Sequence, residues 1–196
     1  MARDYQEALA PLQGLQVHPV GAAADMLSVT FGSLRTVTDR NGREKQLGEW
    51  ALHVQCPWRF LQSDNLLLGS SDFYYVPGSV ERYDFDAGGE NVFHRSAKRL
   101  NEAIVAERIC VLEVRCAEAG AFDIFFDQAL KLSVMPTLSD PVCGEDWRFF
   151  APRTGRRHFV FPNLTERPNK ALEPTPTSVT IRADARIAPA VVVAHL

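Results

Sequence analysis

The chain has 196 residues, 46% of them hydrophobic and 23% charged, with a formal net charge of −3. That is the composition of an ordinary globular domain with a core of its own, so no metal or disulfide staple is needed. The acidic balance argues against general nucleic-acid binding, which shows a basic footprint.

The N-terminal stretch MARDYQEALAPLQ reads as a short arm or helix ended at Pro11. It carries early acids and no apolar h-region, so it is not expected to be a signal peptide. No apolar run approaches the roughly 18 residues of a membrane helix. The expectation is a cytoplasmic protein with reduced thiols at Cys56, Cys110, Cys116 and Cys143. No cofactor, nucleic acid or membrane is expected as a partner.

Strand signals recur from Leu15 onward. Leu27, Val29 and Phe31 alternate with Ser28 and Thr30. Asn41-Gly42 marks a hairpin turn with polar arms, because both positions tolerate positive φ. WALHVQCPWRF (50–60) is the most regular strand pattern in the chain. Trp50, Leu52, Val54, Cys56, Trp58 and Phe60 share one face, opposite His53, Gln55 and Arg59, with Glu49 continuing the polar row. NLLLGSSDFYYVP (65–77) reads as two extended pieces broken at Gly69.

NVFHRSAKRLNEAIVAE (91–107) is the principal helix, capped by Asn91, with Phe93, Ala97, Leu100 and Ile104 on one face. RICVLEVRCA (108–117) then alternates, with Cys110, Leu112, Val114 and Cys116 on a common side. AFDIFFDQALKLSVMP (121–136) reads as a hairpin turning near Asp127-Gln128-Ala129. DWRFFAP and RHFVFP supply two final short strands. The order favours an α+β fold: a mostly antiparallel sheet built from hairpins, with one amphipathic helix packed on it. The expected domain spans 12–163.

The composition shifts at about Leu164, and prolines at 168, 174, 176 and 189 make an extended or disordered tail the expectation for 164–196. Residues 169–196 resemble a repeat-derived tail found on otherwise unrelated proteins. That resemblance implies an appended segment without a function of its own.

The parity of 50–60 bears on metal chemistry. His53 and Cys56 are three residues apart, so a regular strand points them to opposite faces, about 10 Å apart. Zinc needs its ligands at ~2.0–2.3 Å, so the two do not make a zinc site. Cys56 reads as a small core hydrophobe. Cys110 and Cys116 lie about 20 Å apart along a strand. No CxxC, HExxH, P-loop, GxGxxG or GxSxG pattern is present. Cys143 is flanked by Asp140, Glu145 and Asp146, which would raise its pKa and weaken it as a nucleophile. No catalytic residue and no metal ligand is therefore assigned.

The candidate binding residues are the polar row Glu49, His53, Gln55 and Arg59, and the helix cations Arg95 and Arg99, one turn apart beside His94 and Lys98. Either set could dock an acidic or hydrogen-bonding partner, and either could be an ordinary solvated face. Asp84 and Asp86 offer two carboxylates on one side of an extended segment, as an alternative pocket with His53 and Arg59. Acids before Gly-Gly also serve simply as loop solvation. Asp25 and Asp72 read equally as functional acids or turn caps.

The motifs FG (31–32), GEWALHVQCPWRF (48–60), DIFFDQALKLSVMP (123–136) and EDWRFF (145–150) resemble a group of small uncharacterised bacterial proteins. Domains with similar hairpin-and-tryptophan patterns act as immunity proteins in toxin systems. The resemblance covers roughly residues 12–162, rests on structural motifs and carries no site residue. It implies a non-catalytic, partner-binding role, with a protein as the partner. The alternative from the residues themselves is an enzyme or small-ligand binder.

Overall fold

Alternating apolar residues here build two sheets that share one core. A computed structural model describes residues 2–39, 41–140, 144–153 and 159–162. The expected tail (164–196) and Cys143 lie outside the described residues. In chain order the elements are α1 (Ala2–Leu9), β1 (Gly21–Ala23), β2 (Met26–Phe31), β3 (Arg35–Thr38), β4 (Glu44–Leu47), β5 (Trp50–Val54), β6 (Trp58–Gln62), β7 (Asn65–Gly69), α2 (Val92–Glu107), β8 (Val111–Cys116), β9 (Phe122–Phe126), β10 (Leu130–Val134), β11 (Trp147–Phe150) and β12 (Phe159–Phe161).

All strand pairs are antiparallel, and the fold is α+β as expected. One five-stranded sheet has the order β1-β2-β5-β11-β12, and the other β7-β6-β10-β9-β8. The expected hairpins form. β3 and β4 pair across a turn in which Gly42 has φ +77. There Asp39 Oδ1 accepts from the amides of Asn41 and Arg43 at 2.8 and 2.9 Å. β9 and β10 pair across the turn at 127–129.

The stretch 50–60 departs from expectation. It is not one strand but two, β5 and β6, in different sheets. Proline cannot donate to a ladder, so Pro57 suits the break. The amides of Gln55 and Cys56 instead both donate to Asp146 O, at 2.8 and 3.1 Å. The inward parity nevertheless persists through the crossing: Leu52, Val54, Cys56, Trp58 and Phe60 are all buried.

β8 departs too. Its pairing with β9 shifts register between Val111 and Glu113. The bulge turns Leu112 outward, 55% exposed, while Val111 and Val114 are buried. After β7 the chain enters a short 3-10 helix, Ser70–Tyr74, where a second extended piece was expected. Asp72 caps it by accepting from Gly69 N at 2.8 Å, and Asp25 accepts from Tyr74 Oη at 2.8 Å. Asp72 therefore serves as a local cap, while Asp25 ties the β1–β2 turn to the 3-10 helix.

The core gathers Leu27, Val29, Phe31 and Phe149 from the first sheet and Phe60, Ile124 and Leu132 from the second into one cluster. Burial of each such side chain contributes roughly 1.5–3 kcal/mol. Phe93 of α2 packs at 4.4 Å from Phe73 and edge-on to Trp58 at 6.1 Å, which anchors the helix start. Its cap is Asn91, 1% exposed, whose Oδ1 accepts from His94 N at 2.9 Å and whose Nδ2 donates to Phe73 O at 3.1 Å. The globular unit begins before residue 12, because Tyr5 and Leu9 of α1 belong to the same core. Residues 14–18 tie the sheets together. Val17 N donates to Ile109 O at the start of the β8 edge, and His18 N donates to Thr30 O in β2, both at 2.9 Å.

Candidate functional site

Each expected site residue has a definite place, and most lie apart. Glu49 is held by Ser33, whose hydroxyl and amide donate to Oε1 at 2.6 and 3.1 Å, with Arg153 Nη2 at 3.6 Å. These hydrogen bonds, and then the Arg153 charge, hold its carboxyl below the usual range. His53 stands between its cross-strand partners Ser28 and Arg148, edge-on to Phe150 at 4.9 Å. Gln55 is exposed in the crossing between sheets. Arg59 lies on the other sheet, opposite Ser133. The polar row expected along 49–59 is therefore divided between two sheets and the link joining them.

Asp84 is exposed in the loop before α2. Its Oδ1 accepts from Asp86 N at 2.9 Å and from Ala87 N at 3.3 Å, a local turn in which the acid serves the backbone. Neither Asp84 nor Asp86 lines the clefts described here, and they do not meet His53 or Arg59 there. Among the described residues no group of three or more His, Cys, Asp or Glu side chains is placed to hold a metal ion.

Arg95 and Arg99 are brought together. With Ala103 and Glu107 they form a stripe of successive i, i+4 positions along α2, and this stripe walls a cleft of about 530 Å³. The helix ends where Arg108 takes a left-handed conformation, φ 52, and turns Ile109 into the back of the cleft. The facing wall comes from two hairpin ends: Gln62, Leu66 and Leu67 around the β6–β7 turn, and Gln128 and Leu130 around the β9–β10 turn. Ser63 N donates to Ala129 O at 3.0 Å and fixes the two turns side by side.

The cleft is apolar inside and cationic at the helix stripe. Leu66 is 63% exposed, a large hydrophobic side chain left uncovered by the fold. Arg95 Nε lies 3.9 Å from Glu90 Oε2, with both side chains more than half exposed. Such a pair contributes little and yields readily to another anion. Arg99 has no ion-pair partner among the described residues. The polar groups of the lining are Gln62, Arg95, Ser96, Arg99, Glu107 and Gln128.

The helix half of this cleft follows from sequence spacing. The hairpin half does not, because Leu66, Ile109 and Leu130 lie far apart in the chain. Alternation through the leucines at 66–68 would turn Leu67 outward, and it is the register shift of the β6–β7 pairing between Phe60 and Leu61 that accompanies the exposure of Leu66 instead. No family model matches the chain, and no curated protein or solved structure shows significant similarity to it.

Proposed function

We propose that the chain is a cytosolic, non-catalytic protein-interaction module, immunity-like in acting by occupancy, and that its cleft receives an acidic, apolar segment of a protein partner. The observation that supports this reading is the pair Arg95 and Arg99 beside the exposed apolar floor around Leu66. Exposed arginines steer and orient an acidic partner, and the floor supplies the desolvated contact that gives affinity.

Capture from native lysate on the immobilised full chain, run beside an Arg95→Ala/Arg99→Ala double variant, tests it. Support is a partner held by the original chain, released as salt rises, and not held by the variant. A partner held equally by both, or a clean chain without a partner, overturns it.

The cleft volume favours a second reading, since about 530 Å³ falls in the range of small-ligand sites. On that reading the occupant is a small anionic amphiphile. Mass spectrometry of the denatured chain, purified without delipidation, would find it released in stoichiometric amount.

A further inference from the structure

The outer face of the second sheet carries a separate arrangement that shares no residue with the α2 cleft. Arg59, Ser133, Asp123 and Arg115 are successive cross-strand partners on β6, β10, β9 and β8. Their Cβ atoms therefore stand about 4.5–5.5 Å apart, neighbour to neighbour. Lys131 precedes Ser133 by two positions on the same face, about 7 Å away. These five residues line a concavity of about 290 Å³.

Three cations there face one lining carboxylate. Asp123 holds Lys131 only loosely, Oδ2 to Nζ at 3.9 Å. Arg115 is occupied by Glu113, with two hydrogen bonds of 2.8 and 2.6 Å, and lies 4.5 Å over the Phe125 ring. Arg59 has no ion pair among the described residues. Ser133 is 4% exposed, and its hydroxyl makes no hydrogen bond among the described residues. The hydroxyl is open to the concavity that Ser133 lines, between a free guanidinium and a carboxylate.

We propose that this concavity is a binding site for a phosphoryl group. Arg59 forks onto two of its oxygens, as guanidinium geometry favours. Lys131 adds a second charge, and the Ser133 hydroxyl donates from below. Asp123 opposes the anion and keeps the affinity modest. The group arrives either as inorganic phosphate or as the monoester of a small molecule.

The test titrates inorganic phosphate, and separately phenyl phosphate, into the full chain at constant ionic strength, with chloride as control. Amide NMR shifts give the location and calorimetry the affinity. The expected result is saturable binding, with shifts centred on 59, 131 and 133. Arg59→Ala weakens it about tenfold or more, the loss of one charge-assisted contact. Ser133→Ala weakens it several-fold, and Asp123→Asn tightens it. That gain marks the site, since removal of a distant surface charge would be screened. Arg59 is exposed and Asp123→Asn preserves shape, so unchanged thermal melting should accompany both. Tighter binding of phenyl phosphate identifies a monoester site, and equal binding a phosphate site. Non-saturable shifts, or affinities unmoved by Arg59→Ala and Asp123→Asn, overturn the proposal.

Discussion

The carbonyl of Asp146 accepts from the amides of both Gln55 and Cys56, at 2.8 and 3.1 Å, at the point where the chain leaves one sheet for the other. The side chain of Asp146 gains nothing from this arrangement. It is 5% exposed, and Oδ2 has no hydrogen-bond partner among the described residues. Burial raises its carboxyl above the ordinary value. A carboxyl whose pKa is raised on folding leaves stability intact below the unfolded pKa, near 3.9, and removes stability as pH rises through the folded value. Asp146→Asn should therefore stabilise the chain by about 1 kcal/mol at neutral pH. That advantage should shrink as the pH falls toward 4. Urea denaturation of both chains across this range checks the sign, and an advantage that grows on acidification would refute it.

Cys56 lies beside this buried acid. Burial first, and then the charge of Asp146, pushes its thiol up to about 12. Burial alone pushes Cys116 up to about 11. Thiolate is the reactive form, so neither should alkylate readily in the native chain at pH 8. Timed iodoacetamide labelling with peptide mapping should show both reacting only when denaturant is added.

Gly120 has φ +76, and a Cβ at this position would run into the Phe161 ring. Its carbonyl also accepts from Trp147 Nε1 at 2.9 Å, and Trp147 stacks on Phe161 at 5.6 Å. Gly120→Ala combines backbone strain with overpacking. It should cost about 3 kcal/mol and loosen β12 from β11. Thermal melting measures the loss, and a change in Trp147 fluorescence should accompany it.

Gln6 closes an open strand edge. Its carboxamide donates to Val114 O and accepts from Cys116 N, both at 3.2 Å, in place of a neighbouring strand on β8. Unpaired edges recruit other chains. Gln6→Ala should destabilise by about 1 kcal/mol and should raise concentration-dependent self-association. Light scattering over a dilution series reads the second effect, and its absence would show that α1 shields the edge by bulk alone.

The strand content and the single long helix are legible in the sequence because one face of each element meets a shared core. The same reason hides the break in 50–60. Two strands of different sheets that bury the same parity into one core leave the alternation of a single strand, and only Pro57 hints at the crossing. In β8 the bulge is imposed by pairing with β9, so the parity of Leu112 cannot be read from its own segment. The i, i+4 spacing of Arg95 and Arg99 places them side by side. The other cleft wall depends on how two hairpin ends pack, and no local pattern encodes that. Nor does the opposition of Arg59 and Ser133, which is a matter of register across 74 positions.

Tyr5 packs edge-on against both Trp147 and Phe161, with ring centres 6.3 and 6.2 Å apart. An aromatic group from the first helix is thus completed by the last described strands. β5 likewise has β2 on one flank and waits for β11 on the other. During synthesis the early segments must remain unfinished until residue 161 is available, exposing apolar surface for the intervening interval. Such long-range closure slows folding. Trimming a few residues from the helical start should be felt at the opposite end of the sequence, as fraying of the final strand pair.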